Sequence, residues 1–335
     1  MREMARRPEK DRRDLFRAAA QKMGVHEAIV EKDFWVCWVL DYLFQESPWK
    51  DQLAFKGGTS LSKAFGAIER FSEDIDLILD WRTLGYSPDE PWAHRSATKQ
   101  DAFGKESNQR TVEFLARDFV PAVRPALAER LGTDLEVEAR EQETLIPYPR
   151  AFSLAAVQPQ IRLEIGPIAA WVPNEPRTIR PYAAEQFPQL FSQAESTVRT
   201  IAAERTFWEK ATILHQEAHR ALEKPLPPRY SRHYYDLYRL SRSPIREKAL
   251  ARMDLLQDVA QFKIRFYRCP WAKYEEAKPG SLRLLPPEHH GAEMQRDYRS
   301  MRAMLFGQVP TFEAIMTELA ALEKQIHQST VLKKG

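Results

Sequence analysis

Phe55-Lys56-Gly57-Gly58-Thr59-Ser60-Leu61-Ser62-Lys63 and, a short way on, Arg70-Phe71-Ser72-Glu73-Asp74-Ile75-Asp76-Leu77 are the runs whose reading decides the fold. Leu53-Ala54-Phe55 reads as a short strand that meets a glycine pair, after which Thr59 or Ser60 can cap a helix over 61–68. Residues 74–79 read as a second strand. Alternate side chains of a strand share a face, so Ser72, Asp74 and Asp76 point one way while Ile75 and Leu77 point the other. Two carboxylates at this spacing converge, and bare they would repel and raise one pKa. A divalent cation removes that repulsion, and hard oxygen donors suit Mg²⁺. Taken alone, the D-x-D describes a pair of exposed acids on an edge strand at least as well.

The glycine pair changes that balance. Two glycines let the backbone come close to a triphosphate and adopt positive φ. The helix that follows offers free N–H groups and a positive dipole end. Thr59 and Ser60 add hydroxyl donors, and Lys56 either touches the nucleotide or supports the loop. Strand, loop, helix and strand in this order turn the phosphate cradle (Gly57, Gly58, Thr59, Ser60, Ser72) and the acids toward one cleft. No G-x-x-x-x-G-K-[ST] run exists, which excludes a Walker A loop. Two-metal phosphoryl chemistry commonly needs a third carboxylate. Ile161-Arg162-Leu163-Glu164-Ile165-Gly166 supplies Glu164, although a solvent-facing glutamate fits the same pattern nearly as well.

Outward from these runs, the 335 residues suit two domains. Residues 27–45 read as an amphipathic to buried helix and 107–130 as a long helix. Residues 134–140, 151–157 and 160–165 read as strands. Residues 167–188 look irregular, with one more strand near 177–182. Helical periodicity then dominates over about 201–222, 232–241, 244–267 and 310–328. The fold class expected is therefore α/β (α+β): a mixed-sheet domain over 1–198, N-terminal helices included, and a helical C-terminal domain over 199–335. No apolar run is long enough to span a membrane, and the charged N-terminus leads into no signal-peptide h-region. Cys37 and Cys269 are the only cysteines and lack metal spacing, so a reduced cytoplasmic setting is expected. His215 and His219 have a spacing zinc can use, but no Cys or H-E-x-x-H accompanies them.

The net charge of +3 does not mark a nucleic-acid binder. Residues 220–248 are locally basic, however, with Tyr230, Tyr234, Tyr235 and Tyr238 interleaved. Such a stretch can hold phosphates and stack bases, or can be a solvated helix face.

The two opening runs together resemble the AbiEii/AbiGii (MenT-like) nucleotidyltransferase toxin family. Glu204-Arg205-Thr206-Phe207-Trp208-Glu209-Lys210 resembles its lysine motif, and Arg232-His233-Tyr234-Tyr235-Asp236-Leu237-Tyr238 its final aspartate motif. Glu31-Lys32-Asp33 and the tail near Asp297 and Pro310-Thr311-Phe312 agree in order. The resemblance implies a polymerase-β-like nucleotidyltransferase fold, a cognate antitoxin, an NTP substrate and Mg²⁺. It implies that Asp74 and Asp76 bind the metal and that Lys210 neutralises the triphosphate or pyrophosphate. Asp236 would hold Lys210 or act near the acceptor hydroxyl. Arg232 and Arg239 would hold phosphates of the nucleotide or RNA, or lie on the surface. The reaction implied is attack of an RNA hydroxyl, in some members that of the 3′ end of tRNA, on the α-phosphate of an NTP. NMPylation of a protein hydroxyl is the alternative, and a silent nucleotide- or RNA-binding module a third reading.

Overall fold

The computed structural model describes residues 1–329, so 330–335 of the expected C-terminal domain lie outside the described residues. The chain divides into two compact units. One holds residues 1–65 and 71–201; the other holds 66–70 and the chain from Ala202 onward. The expected boundary at 198/199 falls inside a strand, Ser196–Ile201, that belongs to the first unit.

The first unit is a mixed seven-stranded sheet with helices. Its helices are α1 (Arg2–Ala5), α2 (Glu9–Met23), α3 (Glu27–Gln45), α4 (Gly57–Lys63), α5 (Ala97–Phe114), α6 (Val120–Leu131) and α7 (Tyr182–Gln186). The strands are β1 (Leu53–Lys56), β2 (Asp74–Leu79), β3 (Glu138–Arg140), β4 (Glu143–Pro147), β5 (Gln160–Gly166), β6 (Asn174–Ile179) and β7 (Ser196–Ile201). They lie in the order β3-β4-β5-β2-β1-β7-β6. At the centre β2 runs antiparallel to β1 and parallel to β5. Strands β2 and β5 alternate as read from sequence: Ile75, Leu77, Ile161, Leu163 and Ile165 are buried, while Asp74, Asp76, Arg162 and Glu164 are half-buried on the other face.

Helix α3 is buried along almost its whole length, including three consecutive charged residues at its start. Charges are tolerated there only when paired, and each holds a different part of the unit. The Glu31 carboxylate accepts the N–H groups of Ala151 (2.8 Å) and Phe152 (3.0 Å). Lys32 donates to the carbonyls of Gln158 and Gln160 and lies 3.4 Å from Glu73. Asp33 lies 2.8 Å from Lys63 and accepts the Tyr182 N–H at 2.6 Å.

Several expectations are corrected. Helix α4 starts at Gly57, not Leu61, so Thr59 and Ser60 lie inside it and do not cap it. Residues 151–157 form no strand, because two of their N–H groups go to Glu31 and not to a sheet ladder. The expected helix 107–130 begins earlier, at Ala97, and passes through a π-helical turn at Leu115–Phe119. Pro121 follows two residues after the turn ends, and its ring would clash with the carbonyl four residues back in a regular helix. Strands β4 and β7 were not expected.

The second unit contains α8 (Ala203–Ala218), α9 (Arg232–Ser241), α10 (Ile245–Ala251), α11 (Met253–Phe266), α12 (Glu288–Ser300) and α13 (Phe312–Gln328). The helix expected over 244–267 is two, broken at Arg252 (φ −116°, ψ 58°). Helix α8 packs against α9, α10 and α11, and α13 against α9. Residues 66–70 are bound into this unit: Arg70 bridges to Leu305, and Phe306 N–H donates to the Glu69 carbonyl at 3.0 Å. No helix among the described residues is long and apolar enough to cross a membrane.

Candidate active site

In the first unit the glycine turn lies directly against the acidic strand. Lys56 pairs across the sheet with Asp76, and the next residue, Gly57, has φ +82°. A Cβ at Gly57 would stand 1.9 Å from Asp76 Oδ2, so no other residue fits without moving that carboxylate. Thr59 and Ser60 are buried, and their hydroxyls are engaged internally. Thr59 Oγ1 donates to the Asp74 carbonyl and accepts from Ser72 Oγ (3.0 Å), and Ser60 Oγ donates to the Gly57 carbonyl (2.9 Å). They tie the turn to the acidic strand, and are not open donors as expected. Gly58 is buried beside them, and Lys56 is half-buried at the strand end.

Strand β5 completes the face. Its parallel register sets Arg162 beside Asp74 and Glu164 beside Asp76. Arg162 donates Nε to Asp74 Oδ1 (3.0 Å) and Nη2 to Asp74 Oδ2 (2.7 Å), a bidentate pair. It also lies 3.5 Å from Glu143 and 3.6 Å from Glu164. Burial, then the charges of Asp76 and Asp74, push the Glu164 carboxyl up to about 7. The face therefore carries more negative charge than Arg162 alone offsets, and its donors are hard carboxylate oxygens. That combination fits a divalent cation. Among the described residues, no three His, Cys, Asp or Glu side chains are gathered as a metal-binding group, and Asp74 is held by Arg162.

The second unit brings together Lys210 from α8 and Asp236 from α9, 26 residues apart, with Nζ 2.9 Å from Oδ2. Arg70 forks onto the same carboxylate, Nε to Oδ1 at 2.6 Å and Nη2 to Oδ2 at 2.9 Å. Burial alone would raise the Asp236 pKa, but Arg70 and Lys210 hold it well below the usual carboxylate range. His233 Nδ1 lies 3.1 Å from Lys210 Nζ. Burial, with the charges of Lys210 and Arg232, pushes the His233 pKa well below its ordinary value, so the ring is neutral and accepts from the ammonium. Burial also lowers the Lys210 pKa, against the pull of Asp236. Arg232, at the start of α9, is half-buried, and its guanidinium has no ion-pair partner among the described residues. Sequence reading assigned no role to Arg70, Arg162 or His233. Arg70 and His233 stand inside the quoted motifs, but their partners are distant in the chain. The two imidazole nitrogens of His215 are both used by the backbone, at Lys273 and Arg283.

Comparison with known proteins bears on family and fold. The model of a family described as "Nucleotidyl transferase AbiEii toxin, Type IV TA system" matches residues 38–318. Among solved structures, the chain is similar to MenT4, a nucleotidyltransferase toxin from Mycobacterium tuberculosis H37Rv. The TM-score is 0.53 at 15% identity, over 94% of this chain and 89% of that one. It also matches JHP933 from Helicobacter pylori, with TM-score 0.45 and 14% identity, over 92% of this chain and 96% of that one. No curated protein sequence matches the chain.

Proposed function

The chain belongs to the AbiEii nucleotidyl transferase toxin family of type IV toxin–antitoxin systems, and from that premise we propose that it transfers NMP from an NTP to an RNA hydroxyl, the 3′ end of tRNA. The observation that carries the reading is the seating of Gly57 against Asp76, with Glu164 beside Asp76 on the neighbouring strand. A backbone turn without a Cβ lets a polyphosphate come close to a carboxylate face.

Asp76, Asp74 and Glu164 are the residues that would hold Mg²⁺, as one ion or as two. When bound, the ion offsets charge on the phosphates and favours ionisation of the attacking hydroxyl. Binding at Asp74 exchanges one cation for another, because Arg162 already neutralises that carboxylate. Gly57 and Gly58 give the phosphates backbone access, and Lys56 and Ser72 flank them. Thr59 and Ser60 fix the turn. Lys210 supplies positive charge for phosphate or pyrophosphate, while Asp236 and His233 fix its ammonium and Arg70 fixes Asp236. Arg232, without an internal counter-charge, is suited to a phosphate. Attack then transfers NMP and releases pyrophosphate. We place the reaction in the cytoplasm, under control of a cognate antitoxin.

Each α-labelled NTP is incubated with purified protein, Mg²⁺ and total tRNA or lysate protein. Label on tRNA that is lost in Asp76→Ala is expected. Label on protein alone would move the reading to NMPylation. Wild-type protein that labels neither would overturn it, in favour of a silent binding module.

A further inference from the structure

Of the basic and aromatic stretch 220–248, much is internal. Tyr234 and Tyr235 are fully buried, and Arg220 forks onto the buried Glu217. What remains half-buried at the end of α9 is Tyr238 with Arg239. Arg242, its side chain 59% exposed, follows one turn later. These three line a cavity of about 580 Å³, together with Ser243, Gln308 and Gly66, and no carboxylate among the described residues lines it. The volume is in the range of sites that take small ligands.

Arg239 lies 3.1 Å from Glu69, and Arg242 lies 3.5 Å from Glu318, outside the lining. A guanidinium has five N–H donors, so one ion pair at each side chain leaves donors over. The Arg242 guanidinium also stands 5.6 Å from the Tyr238 ring centre. Two guanidiniums beside one aromatic ring match a phosphodiester with its base, since phosphate takes guanidinium in a planar fork and any base can stack.

We infer that this cleft holds a stretch of single-stranded RNA of the acceptor, with backbone phosphate on Arg239 and Arg242 and a base on Tyr238. The inference deepens the proposed function and rests on it for the identity of the ligand. Binding is read without transfer, by fluorescence anisotropy of a labelled single-stranded RNA against salt concentration. Arg239→Ala and Arg242→Ala should each weaken binding and flatten the log–log salt slope by about 0.7 for each phosphate no longer held. Tyr238→Ala should weaken binding about fivefold or more with the slope kept, and Tyr238→Phe should restore it. In transfer assays the same changes should raise KM for RNA and leave KM for NTP alone. RNA affinity and slope unchanged in a folded Arg239→Ala/Arg242→Ala double variant would overturn the inference, as would a loss confined to NTP binding. If the wild type transfers to protein and binds no RNA, the failure lies with the proposed acceptor, and a protein ligand takes the cleft.

Discussion

Gly57→Ala should abolish most transfer while leaving the protein folded. The new Cβ would lie 1.9 Å from Asp76 Oδ2 and 2.7 Å from its Cγ. Ordinary van der Waals separation would need the oxygen to retreat by roughly 1.5 Å. A misplacement of about 1 Å in a reacting geometry can cost about 100-fold, so a fall of at least that size in initial rate at saturating NTP and Mg²⁺ is expected. Alanine at φ +82° adds a backbone penalty of about 1–2 kcal/mol. That should lower the thermal midpoint by a few degrees only. Gly24→Ala is the matched control: it sits at φ +66° with nothing within 4 Å of the added Cβ. It should show a similar loss of stability and a wild-type rate. A Gly57→Ala protein with wild-type turnover would refute the idea that this turn must admit both a polyphosphate and the Asp76 carboxylate.

Three other perturbations follow from charged groups that the fold pairs or crowds. Asp236→Asn leaves Arg70 and Lys210 buried without their shared counter-charge, so denaturant titration should show a loss of about 3–5 kcal/mol and transfer should fall with it. Lys32→Met strands Glu73 in the interior, with a stability loss of about 3–5 kcal/mol; the double variant Lys32→Met/Glu73→Gln should recover part of it. Glu164 titrates at about 7 in the folded state against an ordinary value of 4.5. The folded protein therefore holds that proton more tightly than the unfolded chain. In metal-free protein this contribution is fully favourable below about pH 4.5 and is lost as pH rises to about 7. Glu164→Gln should flatten that window in a series of thermal midpoints; an unchanged pH profile would contradict the assignment.

The acidic strand was legible because a two-residue period states its faces directly: Ile75 and Leu77 go in, and Asp74 and Asp76 go to the other face. The same period placed Arg162 and Glu164 together. It could not say that Arg162 forks onto Asp74, because strand register over 88 residues is set by the whole sheet. The glycine pair was readable as a close approach, but the start of α4 was misplaced, since its first turn contains two poor helix formers held by tertiary contacts. Strand β4 buries three consecutive residues and so shows no alternation, and β7 lies next to strong helical periodicity that masked it. The pairing of Lys210 with Asp236 was open to sequence only through the motifs. Arg70 joins them because residues 66–70 pack with the helical unit, which no local pattern announces.

The most direct test is binding of Mn²⁺ with an unreactive NTP analogue, read by electron paramagnetic resonance with no acceptor present. Wild-type protein should bind the pair with mutual enhancement, and Asp76→Asn, confirmed as folded, should lose it. Undiminished Mn²⁺ and analogue binding in Asp76→Asn would contradict the view that the carboxylate face beside Gly57 is where nucleotide and metal meet.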